Sequence, residues 1–188
     1  IDVDALHKLS VDFTKKLGEI EDAVYKLVDC KFNLSSPRQV GEIIFEKLQI
    51  VENAKKTKTG QYSTSEEVLE SLRGKHEVID LILEYRGIKK LLSTYVDSLP
   101  TLINSKSGKI HTSFNQTITA TGRLSSSNPN LQNIPIRDDY GKEIRKAFIA
   151  DKDCYLLAAD YSQIELRLLA HFSNDAQMVS DFNSGRDI

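Results

Sequence analysis

The first part of the chain repeats apolar residues at helical spacing. From Leu6 to Leu27 they recur every three or four positions, which predicts one amphipathic helix from about Asp4 to Asp29. A stripe of this kind is buried by packing against other elements. The pattern therefore predicts a helical unit built around a long first helix.

Three more helices are predicted from their start signals and their spacing. Ser36 is a typical N-cap residue, and Pro37 suits the first helical turn. Thr64 and Glu67 have the spacing of a capping box. A last apolar stripe predicts a helix from about Lys75 to Ser93. We therefore expect four helices in the first half of the chain.

After Pro100 the pattern changes to short β-like runs. Leu102–Ile103 and Lys109–Thr117 flank Asn104–Gly108, a segment whose Asn and Gly residues suit a hairpin turn. We expect an antiparallel sheet to begin here.

A second apolar run, Tyr155–Ala159, predicts a buried central strand. Ser162 and Glu165 have capping-box spacing, which predicts a helix through about Phe172. Asp160 then lies between strand and helix, at the edge of a cleft, because a carboxylate beside so much apolar surface is costly to bury unpaired. Its oxygens suit Mg²⁺, although Asp is also common at such junctions as a turn or cap residue.

The composition fits one large or two small soluble domains, with 188 residues, 40% of them hydrophobic and 28% charged. The net charge of -2 gives no sign of nucleic-acid binding, so any such contact must depend on local basic patches. Cys30 and Cys154 have no metal-binding or redox spacing, which fits a reducing compartment. No apolar run approaches the ~20 residues of a membrane span, so we expect a cytoplasmic protein.

Two polar segments are candidates for contacts with a polyanion. Residues 53–63 include Lys55, Lys56 and Lys58, which can either bind phosphates or belong to a solvated loop. Leu124–Ile136 contains no charged residue but many amides and hydroxyls. These side chains can bind sugars, phosphates and minor-groove base edges, or they can form a plain loop.

Three motifs resemble a known family. Thr119–Ser126, Asn128–Pro135 and Asp160–Arg167 are together similar to the DNA polymerase I family, the family A polymerases. Long motifs in the right order and separation are far less expected by chance than one short signature. The similarity extends outward to Phe32–Pro37, Thr64–Leu69, Tyr85–Lys90, Tyr95 and Leu99–Pro100, so it covers essentially the whole chain.

The resemblance implies an α+β fold. A helical thumb subdomain would occupy residues 1–93, and the first part of a palm with an antiparallel sheet would occupy residues 94–188. The whole would be a truncated polymerase right hand. Compared with the family pattern, we expect the fingers helix and the motif with the second catalytic Asp to follow this chain, and a proofreading domain to precede it.

The resemblance also implies catalytic roles. Asp160 and the backbone carbonyl of Tyr161 would bind two Mg²⁺ ions together with the second Asp. One ion would activate the primer 3′-hydroxyl, and the other would stabilise the pyrophosphate leaving group. Glu165 would be the steric gate that excludes the ribose 2′-hydroxyl, in addition to its capping-box role.

The implied DNA contacts come from three segments of the chain. Primer–template contacts are expected from Arg123, Asn130, Gln132 and Asn133. Backbone contacts are expected from Arg86 and Lys90, which on residues alone could simply face water. The loop with Lys55, Lys56 and Lys58 would be the tip of the thumb.

The function implied is that of a fragment of a template-directed DNA polymerase, which adds deoxynucleotides to a primer 3′ end in replication and repair. Its partners would be primer–template DNA and deoxynucleoside triphosphates, and it would be a monomer. The fragment alone is expected to bind duplex weakly and not to extend a primer.

Two alternatives remain open. A duplex DNA-binding module without chemistry predicts salt-sensitive binding that Asp160→Ala leaves unchanged. A hydrolytic pair of Asp160 and Glu165, as in a nuclease or phosphatase, leaves the Thr119–Pro135 motifs unexplained.

Overall fold

The computed structural model describes residues 1–52, 54, 56–57, 60–136 and 138–186. Its backbone divides into two compact units, Ile1–Ile149 and Ala150–Ile188, which we call the helical unit and the C-terminal unit. The predicted boundary between thumb and palm, at residues 93 and 94, is a different division and stays a prediction. Within the described residues, none of the helices is both long enough and apolar enough to span a membrane.

The helical unit contains five α-helices within the residues that are described. They are α1 Val3–Val28, α2 Pro37–Gly41, α3 Glu66–Glu70, α4 Glu77–Leu91 and α5 Asp139–Lys146. Two of them continue into a wider, π-helical turn: α2 into Glu42–Lys47 and α4 into Leu92–Val96. A 3₁₀ turn follows at Leu99–Leu102.

The core of the helical unit lies between α1 and α4. The predicted stripe of α1 is confirmed at most positions, because Leu6, Phe13, Leu17, Ile20 and Val24 are buried, and Val28 is buried beyond it. Leu27 is an exception and is exposed. The facing side chains of α4 are Val78, Ile79, Ile82, Tyr85, Ile88 and Leu91. Each large apolar side chain buried in this way contributes about 1.5–3 kcal/mol to folding.

The helix starts are confirmed for α2 and shifted by one residue for α3. The Ser36 hydroxyl accepts a hydrogen bond from the backbone N–H of Gln39, and Pro37 begins the helix as predicted. The N-cap of α3 is Ser65 and not Thr64. Thr64 is instead buried, where its hydroxyl and carbonyl accept hydrogen bonds from another part of the unit.

A two-stranded antiparallel sheet follows the helices. Strand β1, Ser113–Asn115, pairs with β2, Ser125–Ser127, with Phe114 opposite Ser126. The predicted turn at Asn104–Gly108 is present, with the Gly108 N–H 2.8 Å from the Asn104 carbonyl. The predicted strand at Leu102–Ile103 is wrong, because Leu102 ends the 3₁₀ turn and β1 pairs further along the chain.

The C-terminal unit contains α6, Ile164–Ser173, and α7, Ala176–Asn183, which pack together. The predicted buried strand at Tyr155–Ala159 is wrong: this segment has no regular structure, and Tyr155 and Leu157 are 96% and 94% exposed. A central strand forms only when its backbone groups pair with strands on both sides. The described part of the chain offers this segment no such partner.

The predicted capping box at the start of α6 is also wrong. Gln163, in the left-handed region with φ of 52°, occupies the N-cap position and makes no side-chain cap. The Ser162 carbonyl instead accepts a hydrogen bond from Arg167 Nε at 2.9 Å. The guanidinium of Arg167 also lies over the ring of Phe182, 4.6 Å from its centroid, which joins α6 to α7. The predicted end of the helix near Phe172 is confirmed.

Candidate functional site

An open groove of about 1090 Å³ runs along α4 in the helical unit. One wall is formed by the exposed side of α4 and the π-helical turn that follows it. The other wall is formed by residues from Asn128 to Pro135, in the segment between β2 and α5, and by Asp138 and Tyr140 at the start of α5. We call this feature the α4 groove, and its second wall the 128–135 loop.

Four of the predicted DNA-contact residues line the α4 groove. Arg86 and Lys90 lie on the helical wall, and Asn130 and Asn133 lie on the loop wall. On a helix, residues four apart share a face, so the spacing of Arg86 and Lys90 places both cations on the same side of α4. Two segments that are about forty residues apart in sequence thus bring cations and amides to one surface.

Arg86 also has a structural role. Its guanidinium donates to the carbonyl of Thr64 and, at 3.2 Å, to the Thr64 hydroxyl. Burial lowers the pKa of this guanidinium, which still stays protonated because its ordinary value is so high. The bonds to Thr64 use two of the five N–H donors of the side chain, so donors remain for a ligand in the groove.

The 128–135 loop is held by its own amide side chains. The Asn130 Oδ1 accepts from the backbone N–H of Gln132 at 3.0 Å, and the Gln132 Oε1 accepts from the backbone N–H of Ser126 at 3.0 Å. With each oxygen occupied by the backbone, the two amides keep their NH₂ groups as donors. The loop therefore presents hydrogen-bond donors.

Ser126 connects this loop to the sheet. It is buried, and its hydroxyl contacts the Thr112 hydroxyl at 2.7 Å and accepts from the Leu131 N–H at 3.0 Å. The Thr112 hydroxyl also donates to the carbonyl of Pro129 at 2.8 Å. The hydroxyl-rich sequence here thus forms a folded network and is not a plain solvated loop.

The far end of the loop is bound by helices on both sides. The Tyr95 hydroxyl donates to the carbonyl of Asn133 at 2.7 Å. Arg145 of α5 donates from Nη2 to the carbonyl of Ile134 and from Nε to that of Pro135, both at 3.1 Å. Sequence reasoning did not identify Arg145, because an exposed Arg on a short helix has no distinguishing pattern.

The charge of the α4 groove is mixed. Glu66, Glu70, Glu84 and Asp138 line it together with Arg73, Arg86 and Lys90. Arg73 forms ion pairs with Glu70 and Asp80, and the hydrogen bond to Glu70 is the main reason that its pKa is raised. Glu84 accepts from the Tyr140 hydroxyl at 3.2 Å and lies 3.5 Å from Lys16. Two of these four acids, Glu70 and Glu84, are thus paired with cations.

The remaining predicted DNA contacts of the helical unit lie elsewhere. Gln132 is exposed next to the groove. Arg123 is exposed in the connection between β1 and β2, where its carbonyl accepts from the Thr119 hydroxyl. Lys56 pairs with Glu46 at 3.1 Å and lies 4.8 Å from the centroid of the Tyr62 ring. Lys55 and Lys58 lie outside the described residues.

The predicted catalytic residues are in the C-terminal unit. Asp160, Tyr161 and Glu165 are all exposed, with Asp160 and Tyr161 just before α6 and Glu165 in its first turn. The expectation that Asp160 lies beside a buried strand is therefore wrong. Among the described residues, no group of three His, Cys, Asp or Glu side chains could hold a metal ion. The Asp160 carboxylate and the Tyr161 carbonyl are both oxygen donors, which is the ligand type that Mg²⁺ takes.

Comparison with sequence models of protein families identifies the family of the chain. Residues 3–188 match the sequence model of DNA polymerase family A. The chain belongs to this family.

Named relatives of this family A polymerase chain have similar sequences over its whole length. It is 52% identical to DNA polymerase I of Synechocystis sp. and 50% identical to the thermostable DNA polymerase I of Thermus aquaticus. Both matches cover 100% of the chain, and they cover 19% and 23% of the relatives. The chain thus spans about a fifth of the length of these curated relatives.

A solved structure has the same fold. The POL domain of Pol1 from M. smegmatis, in complex with DNA primer-template and dNTP, superposes with a TM-score of 0.84 at 41% identity. The match covers 100% of this chain and 33% of that one. The family and the α+β class, both expected from the resemblance, are thereby confirmed for this chain.

Proposed function

We propose that this chain is part of a template-directed DNA polymerase, and that the α4 groove holds the primer–template duplex. The main observation in support is that four predicted DNA-contact residues line the same groove: Arg86, Lys90, Asn130 and Asn133. The similar M. smegmatis domain is a complex with DNA primer-template and dNTP, which supports the same partners for this chain.

The two walls offer the two kinds of contact that a duplex needs. Arg86 and Lys90 are cations that can bind backbone phosphates, which gives affinity without sequence preference. Asn130 on the loop wall presents an NH₂ donor, and Gln132 beside the groove presents another, since the oxygens of both amides are occupied by backbone N–H groups. Every base pair shows acceptors in the minor groove, so donors there suit a protein that must bind any template sequence.

The catalytic part of the proposal rests on the C-terminal unit. Asp160 and the carbonyl of Tyr161 would hold Mg²⁺, which would supply charge for phosphoryl transfer to the primer 3′ end. Glu165, one turn into the same motif, would meet the sugar of the incoming deoxynucleotide. The role proposed for the complete enzyme is DNA synthesis in replication and repair.

Duplex binding can be tested with a matched pair of lysines. Lys89 and Lys90 are adjacent and both exposed on α4, but only Lys90 lines the groove. The affinity of each variant for a labelled primer–template duplex would be measured by fluorescence anisotropy at several salt concentrations. Lys90→Ala should weaken binding and reduce the salt slope by about 1, as expected for the loss of one phosphate contact, whereas Lys89→Ala should change neither.

Equal effects of the two substitutions would contradict the proposed groove, because they would show only a general attraction to the charge of α4.

Primer extension by the 188 residues alone is a separate test. The same duplex would be incubated with the chain, deoxynucleotides and Mg²⁺. The sequence predicts binding without primer extension, and clear extension would contradict that prediction.

A further inference from the structure

We propose that Tyr95 and Arg145 are positioning residues for DNA binding, which act by fixing the backbone beneath Asn133. The inference rests on the proposed function of the α4 groove. The carbonyls of Asn133, Ile134 and Pro135 are consecutive, and each accepts a hydrogen bond from one of these two side chains. The two donors come from helical segments that the chain separates by about fifty residues.

Tyr95 provides the first of these bonds. It lies in the π-helical turn after α4 and is only 7% exposed, and its hydroxyl is 2.7 Å from the Asn133 carbonyl oxygen. It lines the same groove as Arg86 and Lys90. Tyr95 therefore ties the loop wall of the groove directly to the helical wall.

Arg145 provides the other two bonds from α5. Its planar guanidinium binds two successive carbonyls, which restricts the orientation of both peptide units. The side chain of Ile134 itself is buried, at 8% exposure, and anchors the loop in the core. The backbone from residue 133 to residue 135 is thus held by side-chain hydrogen bonds and by packing.

This arrangement limits what Asn133 can do. Its carbonyl is bound by Tyr95, and its exposed side chain lines the groove, so the side-chain amide is the group of Asn133 that we expect to meet a ligand there. With the backbone fixed, that amide can change direction only through its own side-chain torsions. Pre-organisation of this kind strengthens binding by reducing the ordering that must occur when the ligand arrives.

A double-mutant cycle separates positioning from a general structural role. Tyr95→Phe removes only the hydroxyl, and Asn133→Ala removes only the amide that the hydroxyl is proposed to position. We expect Tyr95→Phe to weaken binding of a primer–template duplex roughly threefold to tenfold in the wild-type chain. In the Asn133→Ala background, the same substitution should change the dissociation constant less than about twofold.

The matched control is Tyr25→Phe. The Tyr25 hydroxyl also donates to a backbone carbonyl, that of Phe32 at 2.8 Å, but neither residue lines the groove. Tyr25→Phe should therefore leave duplex affinity unchanged. Arg145→Lys keeps the charge but loses the planar pair of donors, and it should weaken binding as Tyr95→Phe does.

The outcomes distinguish this inference from the proposed function. If the wild-type chain fails to bind the duplex, both are overturned. If it binds, and Asn133→Ala weakens binding, the groove is supported. The positioning role is then overturned by full affinity of Tyr95→Phe, by an equal loss in both backgrounds of the cycle, or by the same loss in Tyr25→Phe. Wild-type affinity of Arg145→Lys would remove Arg145 from the proposal.

Discussion

Gly141 of α5 packs directly against Pro135. A Cβ atom added to Gly141 would lie 2.7 Å from the Pro135 carbonyl oxygen and 2.7 Å from its Cβ atom, distances at which something must move. Because part of this contact is backbone, the loop or the helix would have to shift. We predict that Gly141→Ala lowers the free energy of unfolding by about 1–3 kcal/mol, as overpacked sites do, measured by urea denaturation.

Gly18 of α1 is the matched control for that prediction. It is also a helical glycine, but among the described residues no atom outside its own helix and chain neighbours lies within 4 Å of an added Cβ. Gly18→Ala should therefore raise the free energy of unfolding by about 0.5–1 kcal/mol through helix propensity alone. Changes of the same sign in the two variants would contradict the close contact of α5 with the loop.

Arg86 and Lys90 should differ in what they contribute to stability. Arg86→Ala leaves the Thr64 carbonyl and hydroxyl without their donor at a site that is only 6% exposed. We expect a loss of about 1–3 kcal/mol in urea denaturation. Lys90 is exposed, so Lys90→Ala should change the free energy of unfolding by less than about 0.5 kcal/mol. A Lys90→Ala variant as unstable as Arg86→Ala would show that the groove lysine is structural.

Alkaline pH should weaken the fold through buried tyrosines. Burial raises the pKa of Tyr95 above its ordinary value of 10.0, so the folded state favours the neutral phenol. The contribution of this neutral phenol to the free energy of unfolding is complete below pH 10. It is lost as the pH rises through the higher pKa of Tyr95 in the folded state. Urea denaturation from pH 8 to pH 11 should show a steeper alkaline loss for the wild type than for Tyr95→Phe. Parallel curves would contradict this linkage.

The role proposed for Glu165 depends on size, which a conservative variant can test. In the full-length polymerase, Glu165→Ala should increase ribonucleotide incorporation, whereas Glu165→Gln should retain selectivity because it fills nearly the same volume. A competition assay between deoxynucleotides and ribonucleotides measures both. If Gln relaxed sugar selectivity as much as Ala, charge and not steric exclusion would be responsible.

The helices of the first half of the chain were predictable because their signal is local and repeated. The stripe of α1 and the cap at Ser36 depend on neighbours within one or two turns, and both are confirmed. Tyr155–Ala159 shows the opposite case. Its apolar composition was interpreted as a buried strand, but burial requires partner strands that the segment does not find among the described residues.

The candidate site was likewise only partly predictable from the sequence. Arg86, Lys90, Asn130 and Asn133 were identified through motifs, and their meeting in one groove could not be read from composition. Arg145 was missed because its importance lies in three-dimensional contacts with two carbonyls. The hydrogen-bonding of Gln132 to Ser126 was likewise hidden, since an amide in a polar loop has many possible partners.

The central claim is that duplex DNA lies in the α4 groove, and photo-crosslinking measures this most directly. A photoreactive residue would be placed at Asn133, on the groove wall, or at Lys26, which is exposed on α1 and is not a groove residue. We predict that position 133 crosslinks a primer–template duplex and that position 26 does not, at a salt concentration where the wild type binds. Crosslinking from position 26 with none from position 133 would contradict the account.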